Sequence, residues 1–394
     1  MRVLVTSTAG DGHLSPLIPF VAALRRRGDE VLVVVPPSAA ERAHRTGARV
    51  CLAEAPPADA LADAWARFVV ASAAEAAVIV NREIFGQLGT AAMLPTVDEV
   101  CRTWQPAAVL HEAAEFAGPI AADKHGIAHL QVAISLAEVE AASLELAAPA
   151  LEPYGSGVTS RIHASRYLSR FPAKLDPSPY PHTFRYRMDS SCPDPTAVLP
   201  NWWPGTIAPL VYITFGTVTG SLGASDQLYQ AALAAVGTLE ARVLMTTGRG
   251  HTPDLGPLPP QVHIEEWVSQ GEVLREASAV VCHGGSGTVL GALAGGIPMV
   301  IVAMFADQPA NARRVVDAGA GLLLTQPAGS ANDRAHLDKD AVRELRTALH
   351  AVLTQDKFRD AARQIAHQVD ATPDVAAVLS TALGDSSAAS GPPP

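Results

Sequence analysis

The residues best suited to chemistry in this chain are His283-Gly284-Gly285-Ser286-Gly287-Thr288, which follow the apolar run Ala279-Val280-Val281-Cys282 and open a short helical segment, Thr288 to Ala294. Strand, glycine-rich turn and helix in that order make an anion site. The glycines let the backbone approach a ligand closely, and the unpaired N–H groups and positive dipole end of the helix favour negative charge. The expected anion is a phosphate. Asp307-Gln308 lies 24 residues after His283, just past the apolar run Ile297 to Val302, which reads as a buried parallel strand after a helix stop at Gly295-Gly296. Open α/β sheets bind ligands at the carboxyl ends of their strands. A carboxylate and an amide beside a phosphate loop offer acceptors and donors to adjacent hydroxyls, so the ligand implied is a sugar attached to a diphosphate.

These residues need two series of strands and helices to hold them. Arg2 to Val5 reads as a buried strand, Thr8-Ala9-Gly10-Asp11-Gly12-His13 as a tight turn, Leu14 to Arg27 as an amphipathic helix ending at Gly28, and Glu30 to Val35 as the next strand. After an Ala-rich helical region, Ala107 to Leu110 reads as a strand, followed by Glu112 and a helix through Lys124, and then by the strand Ala128 to Val132. From about Phe171 to Pro209 periodicity is lost and prolines crowd in, as expected of a linker. A second series starts at Leu210 to Thr214, continues through Arg242 to Met245 and Val262 to Ile264, and reaches the phosphate loop; Leu337 to Val369 reads as helical. The expected organisation is a Rossmann-like α/β domain over 1–175, a Pro-rich linker over 176–209, a second Rossmann-like domain over 210–385 whose last helix is free to pack back on the first, and a disordered Ser/Gly/Pro tail over 386–394.

Bulk properties narrow the partners. A chain of 394 residues can bury two cores, and a formal charge of −10 argues against nucleic acid or an anionic membrane. Arg25-Arg26-Arg27 precedes Gly28 in a helix's last turn, where the dipole favours cations. Cys51, Cys101, Cys192 and Cys282 are scattered without metal-ligand spacing, which suits buried thiols in a reducing compartment. The chain opens on a strand rather than a signal peptide, and no apolar run approaches the roughly 18 residues of a membrane span. A soluble, cytoplasmic protein is expected.

Taken together, Thr8 to His13, Phe215-Gly216-Thr217, Trp267-Val268-Ser269-Gln270, His283 to Thr288 and Asp307-Gln308 with Asn311 resemble the family-one glycosyltransferases of the GT-B fold, particularly the bacterial enzymes that decorate natural products with deoxysugars. The likeness runs over nearly the whole chain, with the elements in family order. It implies two doubly wound parallel-sheet domains facing across a cleft. It also implies that Trp267 packs on the nucleobase, that backbone near Val268 bonds the base edge with Gln270 beside it, and that His283, Gly284, Gly285, Ser286, Gly287 and Thr288 hold the diphosphate with Thr217. Asp307 and Gln308 would grip the sugar. His13 occupies the place of the catalytic base, and an imidazole titrating near about 6.5 suits proton abstraction close to neutrality. Its carboxylate partner would be Glu112, where the family more often has Asp, with Glu115 one helical turn later as the substitute.

What the resemblance implies is an inverting, metal-independent transfer of a sugar from a nucleoside diphosphate to a hydroxyl, or an activated aromatic carbon, of a small apolar or aromatic aglycone. No cofactor beyond the nucleotide sugar is expected. The diphosphate charge is met by the helix N-terminus and His283, and the DxD spelling of Asp338-Lys339-Asp340 reads as an acidic helix start. Relatives that use UDP-sugars place a ribose-binding glutamate eight residues after the loop histidine; here that residue is Gly291, which favours a dTDP-sugar over a UDP-sugar. Trp65, Phe68, Phe85 and Met93, in the region Ala58 to Leu94, are the candidate acceptor contacts. Neither nucleic acid nor stable membrane insertion is expected, and a homodimer is left open. Three other readings compete. A NAD-dependent dehydrogenase has a third glycine where this chain has Ser15 and leaves the second loop unexplained; a sugar-nucleotide 2-epimerase needs no acceptor; and a non-catalytic donor-binding partner has no use for His13.

Overall fold

The computed structural model describes residues 1–188, 199–216, 225–248, 250–325, 333 and 336–384. The chain divides into two compact units, unit 1 formed by Met1–Asp189 and the segment from Thr372, and unit 2 by Ser190–Ala371. Thr217, residues 189–198 of the expected linker and the expected tail 386–394 lie outside the described residues.

Unit 1 runs β1 (Arg2–Thr6), α1 (Asp11–Leu14), α2 (Ile18–Arg26), β2 (Glu30–Val35), α3 (Ala40–Arg45), β3 (Arg49–Leu52), α4 (Ala58–Val70), α5 (Ala73–Val78), a π-helical stretch Ile79–Gly89, α6 (Thr90–Trp104), β4 (Ala108–Glu112), α7 (Ala117–His125), β5 (Ala128–Val132), α8 (Ala137–Leu151), α9 (Val158–His163), β6 (Arg166–Ser169) and β7 (His182–Arg185). The seven strands pair in parallel in the order β3-β2-β1-β4-β5-β6-β7. Helices cover both faces, so the central strands are near-continuous apolar runs rather than alternating ones. On one face Val3, Val5 and Leu110 pack with Phe20, Val21 and Leu24 of α2; on the other, Leu4 and Val109 pack with Val97 of α6 and Ala121 of α7.

Unit 2 runs β8 (Leu210–Thr214), α10 (Ser225–Val236), β9 (Arg242–Thr246), β10 (Val262–Glu265), α11 (Gln270–Glu276), β11 (Ala277–Cys282), α12 (Ser286–Ala294), β12 (Met299–Ile301), α13 (Gln308–Asp317), β13 (Gly321–Leu323), α14 (Lys339–Thr354) and α15 (Asp356–Asp370). Its six strands are also parallel, in the order β10-β9-β8-β11-β12-β13. The expected single helix over 337–369 is two, because Gln355 between them is extended (φ −100°, ψ 108°). Asp338 is the N-cap of α14 and accepts hydrogen bonds from the N–H groups of Asp340 and Ala341, which accounts for the DxD spelling as helix-start chemistry.

The expected linker begins too early. Strand β7 lies inside the stretch 176–209, pairing with β6 from Arg166↔His182 to Ser169↔Arg185. The prolines around it mark turns that flank a short strand at the sheet edge, where Pro is tolerated. The last helix, α16 (Val375–Leu383), belongs to unit 1, where Val375, Val378, Leu379 and Ala382 share a core with Phe20 and Leu24 of α2. Among the described residues no helix is long and apolar enough to cross a membrane.

Candidate active site

In an open parallel sheet the exits of neighbouring strands that wind in opposite directions leave a crevice where ligands bind. Unit 1 reverses its winding between β1 and β4, and unit 2 between β8 and β11. His13 follows β1 and Glu112 ends β4; Gly216 follows β8 and His283 follows β11. Both groups of candidate residues therefore stand at the position the topology reserves for a ligand.

At the first position, the turn after β1 passes through Gly10 at φ +112°, a conformation an L side chain rarely adopts, and His13 lies on the single turn of α1. His13 Nδ1 is 3.2 Å from Glu112 Oε1, with the imidazole one-fifth exposed (21%) and the carboxylate fully buried. Glu112 is held from three directions: Oε1 accepts from Thr8 Oγ1 (2.7 Å) and Thr8 N (3.2 Å), and Oε2 from Ala114 N (2.7 Å). Burial opposes its ionisation, yet the His13 charge and these hydrogen bonds outweigh burial and hold the carboxyl below its ordinary range. A carboxylate on Nδ1 fixes the proton there and leaves the Nε2 lone pair to accept one from a substrate. Phe85, on the π-helical stretch, lies against the imidazole with ring centroids 5.1 Å apart. Glu115, the substitute partner, is engaged otherwise, accepting from Thr6 Oγ1, Ala117 N and Gly118 N.

The acceptor candidates separate. Phe85 stands beside His13. Trp65 is exposed (42%) and meets Phe68 edge-on at 5.3 Å, while Phe68 packs with Ala64, Ile79 and Ile84. Met93 does not serve as expected: it is 3% exposed in the core under β1, packed with Leu4, Val97 and Val109. Its apolar chemistry is used for packing.

At the second position the loop is built around missing side chains. Gly284 has φ +88°, and a Cβ there would come within 2.8 Å of Ile301 Cγ2 and 3.1 Å of Gln308 O. A Cβ at Gly285 would stand 2.4 Å from His283 Nε2, and one at Gly216 (φ +81°) 2.8 Å from the same ring. Gly285 and Gly216 clear the space into which the His283 imidazole fits, while Gly284 lets the loop pass close to Ile301 and Gln308. Burial pushes the pKa of His283 down, opposed by the Asp307 carboxylate and a Thr214 backbone contact. No side chain caps α12, and its first intrahelical bond is Val289 N to Gly285 O, so the preceding N–H groups face outward at the positive end of the dipole.

Asp307 closes the loop: its Oδ2 accepts from Ser286 Oγ (2.6 Å) and from Asn311 Nδ2 (2.8 Å), and Asn311 Nδ2 also reaches Gly284 O (2.9 Å). The fully buried Asn311 thus joins the anion loop to the Asp307 turn, a structural role that spacing alone did not reveal. Gln308 is 3% exposed, and its Oε1 accepts from Met304 N (2.8 Å) and Phe305 N (3.2 Å), so its carbonyl shapes the turn. Ala306, just before Asp307, is held at φ +54°, a strained conformation for a residue with a Cβ. Gln270 opens α11 and donates from Nε2 to Thr288 Oγ1 at 3.0 Å, while Trp267 (54% exposed) and the half-buried Val268 follow β10 on the same edge of the sheet. Gly287 is exposed in the first turn of α12. No group of three or more His, Cys, Asp or Glu that could hold a metal ion occurs among the described residues.

Residues 230–383 match the family model described as erythromycin biosynthesis protein CIII-like, C-terminal domain. The chain is 31% identical over 421 residues to the elloramycin glycosyltransferase ElmGT of Streptomyces olivaceus, covering 98% of each chain. It is 30% identical over 334 residues to an L-demethylnoviosyl transferase of Streptomyces niveus, covering 82% of this chain and 85% of that one. Among solved structures, the spinosyn rhamnosyltransferase SpnG complexed with thymidine diphosphate superposes with a TM-score of 0.78 at 23% identity, over 97% of this chain and 99% of the other.

Proposed function

Because the chain belongs to the family-one glycosyltransferases of the GT-B fold that act on bacterial natural products, we propose that it moves a deoxysugar from a dTDP donor to a hydroxyl of an apolar or aromatic aglycone, with inversion and without a metal. The observation that carries this reading is the His13–Glu112 pair. The carboxylate holds Nδ1, so Nε2 can take the acceptor's proton as its oxygen attacks the anomeric carbon; the C–O bond forms as the bond from that carbon to the diphosphate breaks. A single displacement inverts the centre. The charge that develops on the departing diphosphate is met by the uncapped N-terminus of α12 and the glycine loop, which need no reorganisation as it forms. Phe85 beside the base, with Trp65 and Phe68 nearby in sequence on α4, supports an aromatic acceptor.

The donor assignment rests on Gly291. A Cβ there would lie 3.0 Å from Leu274 Cδ1 and 3.5 Å from Gln270 Oε1, so Gln270, tied to Thr288, stands where a ribose-binding glutamate would have to fit. A donor without a 2′-hydroxyl loses least by that exchange. Calorimetric titration with dTDP and UDP side by side tests this, with dTDP expected to bind more tightly. Equal or tighter UDP binding removes the dTDP assignment, and conversion of a UDP-sugar without acceptor replaces transfer by epimerisation. The stereochemistry is read from the anomeric coupling constant of the product, and a retained configuration overturns the single displacement.

A further inference from the structure

Unit 1 buries a second carboxyl directly behind the one that holds His13. Glu115 is 2% exposed, three residues after Glu112. Each is met by a threonine at or just past the end of β1: Thr8 reaches Glu112 through N and Oγ1, and Thr6 reaches Glu115 through Oγ1. Glu115 also gathers the first N–H groups of α7, with Ala117 N at 2.7 Å from Oε1 and Gly118 N at 2.9 Å from Oε2, while its own N–H donates to Glu112 O at 3.1 Å. A Cβ at Gly118 would lie 2.4 Å from Thr6 Oγ1 and 2.6 Å from Glu115 Oε2, so glycine at that position is what lets hydroxyl and carboxyl meet. The segment 112–115 is thereby stitched to β1 at both ends.

We propose that Glu115, with Thr6 and Gly118, is a positioning residue for the His13–Glu112 base. It sets the place of the Glu112 carboxylate through the turn they share, and, through the electrostatic coupling of the two carboxyls, the charge that Glu112 presents to the imidazole. The assignment rests on His13 being the base. Groups facing Glu115 from every side bear on the second effect. Cys101 of α6 senses its charge, His111 of β4 contacts the Glu115 backbone, His129 of β5 lies behind His111 with Nδ1 at 3.2 Å from His111 Nε2, and Glu112 lies ahead of it. Burial first, with Glu112 adding to it, pushes the Glu115 carboxyl up to about 7 against the opposing hydrogen bonds of Thr6, Gly118 and Ala117. Its charge therefore changes in the range where an imidazole base operates. His111 stays neutral across that range, since burial lowers it to about 3.

The sign follows directly. A negative Glu115 stabilises the His13 imidazolium, so removing the charge lowers the His13 midpoint. The test is histidine-resolved NMR titration alongside steady-state kinetics for the full-length protein and its Glu115→Gln, Thr6→Val and Thr6→Ser variants. The His13 resonance is assigned by its loss in His13→Ala. Glu115→Gln is expected to move the midpoint down by about half a unit or more and to lower kcat about tenfold with donor KM within twofold. Thr6→Val, which removes a donor that favours the charged carboxyl, should move both in the same directions by less, and Thr6→Ser should restore both. An unmoved midpoint in Glu115→Gln and Thr6→Val overturns the proposal, even if kcat falls, because packing damage alone leaves the imidazole titration where it was. Should Glu115→Gln not fold, the Thr6 pair decides by the same criteria. Full activity in His13→Ala would instead remove the base assignment itself, a failure distinct from an unmoved midpoint.

Discussion

The two candidate sites are built from opposite materials. Unit 1 works with side chains: a histidine, two buried carboxyls and the threonines that hold them. Unit 2 works with space: two glycines whose missing Cβ atoms admit an imidazole, a third that lets the loop close on Gln308, and a helix end left uncapped. Moving a proton requires a group whose affinity for it can be tuned by neighbours. Holding a diphosphate requires several fixed N–H dipoles at close range, which the backbone supplies once nothing covers it. The same fold thus yields a tunable site and a rigid one.

The contrast breaks most sharply at His13. His13→Ala should lower kcat by about 10²- to 10⁴-fold while leaving the calorimetric affinity for dTDP unchanged; a parallel loss of affinity would show that the two sites are not separable. Gly285→Ala should do the reverse, weakening dTDP by about tenfold or more, equivalent to about 1.4 kcal/mol, because its Cβ meets the His283 ring, with the His13 titration unaltered. Smaller effects sharpen the difference in titratable character. Glu140, at the start of α8, is pushed up to about 8 by burial despite accepting from Tyr167 Oη, Ser135 N and Ile134 N. Its folded-state pKa exceeds the unfolded value of 4.5, so its contribution to stability is complete below about 4.5 and lost as pH rises through about 8. Chemical denaturation should show stability falling over that window by up to about 1.4 kcal/mol per pH unit, and Glu140→Gln should flatten the part between pH 7 and 8, where Glu115 is past its midpoint. The smallest change is expected at Asp338. Asp338→Ala should cost about 1 kcal/mol as a lost N-cap, and sugar transfer should be unaffected both by it and by EDTA; EDTA-sensitive transfer would reopen the metal reading.

Much of this was legible in the chain because both sites lie where apolar strands end. The runs ending at Thr6, Glu112, Thr214 and Cys282 are buried on both faces and read plainly as strands, so the residues after them could be placed before any geometry was known. The glycine loop was legible for a similar reason: glycines just after a strand have few other uses. What spacing could not show was long-range pairing. Thr6 with Glu115 and Thr8 with Glu112 join residues more than 100 positions apart, and nothing local marks them. Strand β7 escaped notice because four residues among prolines, half-buried at an edge, carry no alternation to detect. Met93 was mistaken for a contact because an apolar residue has the same periodicity whether its helix face meets a core or a ligand.

The return of the chain to unit 1 at Thr372 makes unit 2 an insertion rather than a successor. A recombination event that exchanges donor specificity between relatives at a single junction near residue 189 would also exchange α16, and so give unit 1 a foreign helix against Phe20 and Leu24. Clean inheritance of a new donor preference needs two crossovers, one on each side of residues 190–371. By the same logic, a chimera with one crossover is most readily repaired by restoring four side chains of α16, Val375, Val378, Leu379 and Ala382.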